Sequence, residues 1–144
     1  MRNPSVLTII ILVASVCCGS APSEEAAESG LEQASRDTPG LVVQGTENLD
    51  FSSFKVTFIE LGADRCIPCK AMQPVMRDIA REYQDVIQVV FFDVWKDPAP
   101  ARRYKVQMIP TQVFVDPQGR EVARHVGFYP KEDIIKMLRE KGLI

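Results

Sequence analysis

The sequence predicts an α/β fold in which a central mixed β-sheet is flanked by helices on both faces. Strand-like and helix-like segments alternate between Leu41 and Ile144, which indicates parallel strands joined by crossover helices. Near the end of the chain, two strand-like runs flank Asp116-Pro117-Gln118-Gly119, whose residues favour a tight hairpin turn. Because a hairpin adds antiparallel strands, the predicted sheet is mixed.

Each element has its own signal. Segments rich in Val, Ile and Phe at Lys55 to Leu61 and at Val86 to Asp93 predict strands. Between them, apolar residues recur every three or four positions from Cys69 to Tyr83, which is typical of an amphipathic helix. The remaining expectations are a strand at Leu41 to Val43, a short helix or loop at Asn48 to Phe54, a short helix at Pro98 to Tyr104, hairpin strands at Thr111 to Val115 and Glu121 to Val126, and a last helix at Lys131 to Glu140.

Composition limits the classes of function. The chain has 144 residues, of which 46% are hydrophobic and 25% charged, and a formal net charge of -2. This is an average globular composition for one domain with additional segments. The basic residues are scattered rather than clustered, so the sequence gives no indication of nucleic-acid binding.

The first 18 residues resemble an export signal. Arg2 precedes an apolar run from Val6 to Val16, which is shorter than the roughly 20 residues of a spanning helix. Cys17 and Cys18 follow directly, as in a bacterial lipoprotein signal, where a cysteine receives the lipid. Cleavage nearby without lipid, or an uncleaved anchor, remain alternatives. The expected location is the periplasm or the outer face of a membrane.

The rest of the chain divides into a linker and a domain. Residues 19–40 are rich in Ser, Ala, Glu, Gly and Pro and cannot bury enough apolar surface to fold, so they predict a flexible tether. Residues 41–144 form the predicted domain. Only two of the four cysteines lie in it, which excludes a structural disulfide framework.

Those two cysteines form the motif Cys66-Ile67-Pro68-Cys69. It begins a helical pattern directly after a predicted strand, and two residues three positions apart lie on one helix face. Unpaired backbone N–H groups and the helix dipole should stabilise a thiolate at Cys66 and lower its pKa below the free value of about 8.5. Pro68 is tolerated in the first turn, where its missing N–H would have no partner.

Residues 41–144 resemble the thioredoxin family. Three motifs occur in the family's order: Cys66-Ile67-Pro68-Cys69-Lys70 after a strand, Ile109-Pro110-Thr111 before the hairpin, and Gly127 after it. The resemblance implies a redox-active Cys66–Cys69 disulfide, with Cys66 as the attacking nucleophile and Cys69 as the resolving thiol. It implies no cofactor and no resident metal.

The resemblance also implies a substrate groove. Pro110 corresponds to a cis proline that faces the cysteines, and Ile109 to a residue that pairs its backbone with the substrate. Gly127 corresponds to a glycine that keeps the groove open, and Ile67 and Pro68 belong to the same surface. Taken alone, Pro110 would be the start of a strand and Gly127 an ordinary turn residue.

Glu60 stands where thioredoxins bury an acid that transfers a proton to the second cysteine. A carboxyl group in an apolar strand is costly unless it is used or solvated, so burial would raise its pKa. The alternative is a carboxylate that reaches the surface.

The chain departs from the family pattern near the motif. Gly62 and Arg65 replace two tryptophans, and Phe91 replaces a buried lysine. Arg65 either supports the thiolate or is a solvated surface residue. We expect Trp95 to fill part of the gap left by the tryptophans.

The sequence favours a thiol-disulfide oxidoreductase that acts on protein cysteines outside the cytoplasm. Ile67-Pro68 keeps the proline of reducing thioredoxins, which favours a reductase or isomerase supplied by a membrane electron donor. One alternative is a copper- or zinc-handling module, although two thiolates and the lone His125 leave a tetrahedral site incomplete. Another is a thioredoxin-like binding module without redox turnover.

Overall fold

The computed structural model describes residues 43–45 and 48–144. The predicted signal and the whole predicted linker therefore lie outside the described residues, as do Leu41 and Val42. The strands are β1 (Val43–Gln44), β2 (Val56–Gly62), β3 (Ile87–Asp93), β4 (Thr111–Val115) and β5 (Glu121–Val126). The helices are α1 (Ile67–Glu82), α2 (Ala99–Arg103) and α3 (Lys131–Glu140). None of these three helices is long and apolar enough to cross a membrane.

The strands form one mixed sheet in the order β1-β3-β2-β4-β5. β1 and β2 run parallel to β3, whereas β4 runs antiparallel to both β2 and β5. The predicted hairpin and the predicted mixed sheet are therefore confirmed. Asn48 to Phe54 forms a loop with a turn rather than a helix.

Helices cover both faces of the sheet, as the sequence predicted. α1 and α3 pack on one face, which we call the α1 face; its buried side chains are Val56, Phe58, Met72, Met76, Ile79, Ala80, Ile87, Val89, Phe91, Phe114, Ile134, Ile135 and Leu138. The opposite face carries a second cluster, against which Ala101 of α2 and Tyr104 pack. Each face thus removes its apolar side chains from water, which is the main favourable contribution to folding.

The central strand β2 is buried along all seven residues. Its side chains alternate between the faces, as in any strand. Phe58 belongs to the α1 face, whereas Ile59 and Leu61 belong to the opposite cluster. By the same alternation, Glu60 lies on the α1 face.

Candidate active site

A disulfide bond joins Cys66 and Cys69 at the start of α1. The chain leaves β2 at Gly62, turns through residues 63–66 and enters the helix at Ile67. Cys66 is the N-cap residue, and its Sγ accepts a hydrogen bond from the backbone N–H of Cys69 at 3.3 Å. The two α-carbons are 5.2 Å apart, which is within the usual range for a disulfide. The structure therefore brings together the two sulfurs that the sequence paired.

The two cysteines differ in their access to solvent. Cys66 is 8% exposed and Cys69 only 1%, so Cys66 is the sulfur that another protein can reach more easily. Ile67 is 82% exposed, and Pro68 is also exposed in the first turn of the helix. The motif therefore presents the side chains of Ile67 and Pro68 to solvent, while Cys66 is slightly accessible and Cys69 is covered.

The peptide bond between Ile109 and Pro110 is cis, as the resemblance implied. Ile109 packs against the small cluster formed by Ala63, Cys66 and Cys69, and Pro110 is buried. The segment that precedes β4 therefore lies beside the disulfide, although about 40 residues separate the two in the sequence.

Gly127 joins the end of β5 to this segment. Its backbone N–H donates a hydrogen bond to the carbonyl oxygen of Pro110 at 2.8 Å. Its φ angle is +96°, a backbone conformation that residues other than glycine rarely adopt. A β-carbon at this position would meet no atom within 4 Å. Backbone conformation, rather than crowding, therefore accounts for the glycine.

Gly62 allows close packing behind the disulfide. A β-carbon added there would lie 3.2 Å from Cβ of Cys69 and from a ring carbon of Phe91, and 3.3 Å from Sγ of Cys69. Phe91 thus occupies the space that we expected Trp95 to fill. That expectation was wrong, because Trp95 is 62% exposed. Asp93 accounts for its position, since Oδ1 of Asp93 accepts hydrogen bonds from the backbone N–H groups of Trp95 and Lys96.

Glu60 is completely buried, which excludes the alternative that its carboxylate reaches the surface. It lies on the same face of β2 as Gly62, two residues from the glycine that contacts Cys69. Burial raises the pKa of Glu60 from 4.5 to about 8, although a hydrogen bond from Gln112 opposes the shift. Near pH 8 the group therefore exists in both protonation states, which a proton-transfer residue requires.

Gln112 is the site residue that sequence reasoning missed. It pairs with Glu60 across β2 and β4, and its Nε2 donates hydrogen bonds to Oε2 of Glu60 and to the carbonyl oxygen of Gly127, both at 3.0 Å. It is also completely buried. The sequence carried a signal, since Gln112 is a polar residue between Thr111 and the apolar end of β4 and therefore needs a buried partner.

Comparisons with known proteins agree with this arrangement. A sequence profile of the thioredoxin family matches residues 47–140. The chain belongs to the thioredoxin family. It is 35% identical over 83 residues to thioredoxin from Staphylococcus aureus, covering 58% of this chain and 79% of that protein. The structure of a mutant thioredoxin from Halobacterium salinarum NRC-1 superimposes with a TM-score of 0.62 at 29% identity, covering 72% of this chain and 92% of the other.

Family membership and the Cys66–Cys69 pair identify this thioredoxin-family protein as a thiol-disulfide oxidoreductase. The predicted thioredoxin fold, with its mixed sheet and helices on both faces, is likewise confirmed.

Exposed apolar side chains occur near this redox pair in the thioredoxin domain. Ile67 lies inside the motif, Met108 precedes Ile109, and Val126 and Phe128 stand on either side of Gly127; these four are 82%, 66%, 49% and 47% exposed. Exposed apolar side chains on segments that adjoin a reactive disulfide are candidates for contact with another protein.

Other polar candidates are less involved in the site. Arg65 is exposed. The ring of His125 stacks on Tyr129, with 4.0 Å between ring centroids, and its Nε2 lies 3.2 Å from the carbonyl oxygen of Phe128. Within residues 43–45 and 48–144, no group of three or more His, Cys, Asp or Glu side chains could hold a metal ion.

Replacing Glu60 with Gln should remove a pH-dependent loss of stability, so that the stability of Glu60→Gln relative to the unmodified protein rises with pH. Between pH 4.5 and about 8, the unfolded chain has lost the Glu60 proton while the folded protein keeps it. Stability of the unmodified protein therefore falls by up to about 1.4 kcal/mol per pH unit across this window and stays low above it. Gln lacks this titration, and its Oε1 can still accept from Gln112.

Urea denaturation of both proteins at several pH values across the window measures the difference. The exposed residue Glu132 provides a control, because Glu132→Gln removes a surface carboxyl group and should not reproduce the rising gain expected for a buried one. A constant difference between Glu60→Gln and the unmodified protein would contradict a raised pKa at Glu60.

Proposed function

We propose that this protein exchanges its Cys66–Cys69 dithiol and disulfide with cysteines of other proteins outside the cytoplasm, working as a reductase or an isomerase. The observation that supports this most directly is the position of the disulfide, at a helix N-terminus and beside a surface of exposed apolar side chains. Such a surface suits an unfolded or extended protein segment better than a small polar molecule.

In the reducing direction, the reaction begins with the thiolate of Cys66. It attacks one sulfur of a substrate disulfide, so that a mixed disulfide forms and the other substrate sulfur leaves as a thiolate. The helix N-terminus stabilises the Cys66 thiolate before the attack, because the backbone N–H of Cys69 already points at Sγ of Cys66.

The second step needs a thiolate at Cys69. We propose that Glu60 accepts the proton of the Cys69 thiol, directly or through one water molecule. The Cys69 thiolate then attacks Sγ of Cys66, which releases the second substrate sulfur as a thiolate and forms the Cys66–Cys69 disulfide. The substrate has gained two electrons, and the protein has lost two.

The substrate chain is proposed to lie across Ile109, Pro110 and Gly127, next to Ile67 and Pro68. In the described part of the chain, the backbone N–H and carbonyl groups of Ile109 make no hydrogen bond. An extended substrate segment could therefore pair with them as an added strand. The exposed side chains on both sides of Gly127 would contact the substrate's apolar residues.

The proposed setting outside the cytoplasm rests on the sequence of residues 1–18. An apolar run behind a basic start, followed by Cys17 and Cys18, favours export and a lipid anchor. An exported reductase must regain two electrons after each turnover. We therefore propose a membrane protein as the electron donor.

Replacing Cys69 with Ser should trap substrates. Cys66 can still attack, but without the second thiol the mixed disulfide is not resolved. Cells that express this variant should contain adducts that a thiol reductant releases, as seen on non-reducing gels. Cys66→Ser is the matched control and should form almost none. If both variants fail to form adducts, the protein is a binding module without redox turnover.

The reduction potential should lie closer to that of a reducing thioredoxin, about -270 mV, than to that of a strong oxidant, about -120 mV. The reason is the Ile67-Pro68 dipeptide, which retains the proline of reducing family members. Equilibration of the full chain with glutathione buffers, followed by alkylation of free thiols, gives the potential. A value near the oxidising end would contradict the reductase proposal and favour an oxidase.

The lipid anchor can be tested in a bacterial host. We expect the protein in the membrane fraction, with an acylated cysteine as its first residue, because Cys17 and Cys18 directly follow the apolar run. Mass spectrometry of the mature N-terminus identifies the residue, and Cys17→Ala and Cys18→Ala should separate the two positions. An unprocessed chain in the cytoplasmic fraction would contradict the proposed setting.

A further inference from the structure

Gln112 on β4 donates a hydrogen bond to the buried carboxyl group of Glu60 on β2. We propose that Gln112 is a positioning residue that holds the carboxyl group of Glu60 by its Oε2 atom and leaves Oε1 as the oxygen that gains and loses the proton. This inference rests on the proposed role of Glu60 and adds to it a second residue and a defined atom.

The hydrogen bonds fix the orientation of the Gln112 amide. A primary amide nitrogen carries two hydrogens, and both have acceptors here, Oε2 of Glu60 and the carbonyl oxygen of Gly127, each 3.0 Å from Nε2. Rotating the amide by half a turn would place its oxygen against the carbonyl oxygen of Gly127, which can only accept. The amide nitrogen therefore faces Glu60, and the Gly127 carbonyl keeps it there.

The two oxygens of Glu60 are not equivalent. Oε2 accepts from Gln112, whereas Oε1 has no partner among the described residues. A buried oxygen that carries negative charge without a donor is costly. A proton on Oε1 removes that charge, while Oε2 still accepts from Gln112 as the carbonyl oxygen of a neutral acid. The proton therefore belongs on Oε1.

Of the side chains on the elements around Glu60, Gln112 is the one that hydrogen-bonds to its carboxyl group and so changes its pKa. Phe91 lies opposite Glu60 on β3, and Gln112 lies opposite it on β4. On the α1 face, the helices contribute Cys69 and apolar residues, the latter being Met72, Met76, Ile134, Ile135 and Leu138. β5 contributes His125, which lies beyond Gln112 and stacks on Tyr129. Among the described residues, burial raises the pKa of Glu60 and the hydrogen bond from Gln112 lowers it.

Replacing Gln112 with Met tests the inference, because Met has a similar volume but no donor. The carboxyl carbon of Glu60, followed by carbon-13 NMR in the oxidised full chain, should titrate higher than in the unmodified protein by roughly one to two pH units, the usual effect of a hydrogen bond to a charged group. The pH profile for resolving a mixed disulfide with a cystine peptide should shift by the same amount.

Two controls separate positioning from a loss of packing. Val113→Ala removes buried volume from the opposite face of β4 and should leave the Glu60 midpoint unchanged. In a Glu60→Gln background, adding Gln112→Met should not move the pH profile. An unchanged or lowered Glu60 midpoint in Gln112→Met would overturn the inference.

A measurement on the unmodified protein covers the case in which Gln112→Met does not fold. The side-chain amide protons of Gln112 should shift with the same midpoint as Glu60, and this shift should vanish in Glu60→Gln. If the chemical shifts of the Gln112 amide protons do not change as Glu60 titrates, the inference is also overturned. The proposed role of Glu60 fails separately, if Glu60→Gln keeps both the turnover and the pH profile of the unmodified protein.

Discussion

The backbone hydrogen bonds along both edges of β2 determine where the residues of the candidate active site lie relative to one another. One edge pairs with β3 in parallel and the other with β4 in antiparallel register. Because β2 then leads directly into the turn before α1, this register fixes where Cys66 lies relative to Pro110 at the start of β4. It also sets Glu60 opposite Gln112. A shift by one residue would turn Glu60 to the other face of the sheet, away from α1.

The same pairing explains how the sheet accepts a carboxyl group in its interior. Burying a carboxylate costs free energy, and the raised pKa of Glu60, about 8, reflects that cost. Gln112 offsets part of it by donating to one oxygen. The remaining cost lowers the stability of the folded protein, and it arises from Glu60, the buried group that can gain or lose a proton. A buried acid with a raised pKa is a candidate functional residue, which supports the proton-transfer role proposed for Glu60.

Much of the fold was predictable from the sequence, and so was part of the site. Runs rich in Val, Ile and Phe identified β2 and β3, turn residues identified the hairpin, and three- to four-residue spacing identified α1, since each of these signals is local in the sequence. The spacing of Cys66 and Cys69, within one helical turn, predicted that their two sulfurs lie close together. The proximity of Ile109 and Pro110 to the cysteines came from resemblance, because nothing in a local pattern joins segments so far apart.

Other features depended on contacts between distant strands. Trp95 could not be placed from the sequence, because its exposure depends on how Asp93 holds the loop after β3. Gln112 stood out only as a polar residue in an apolar strand, and its partner was unknown until the strand register set it beside Glu60. The sequence by itself determined the order of elements, the paired cysteines and the anomaly of an acid in an apolar strand. Only the tertiary structure decided what covers that acid and what it bonds to, because hydrogen bonds and desolvation act between residues that neighbour each other in space rather than in sequence.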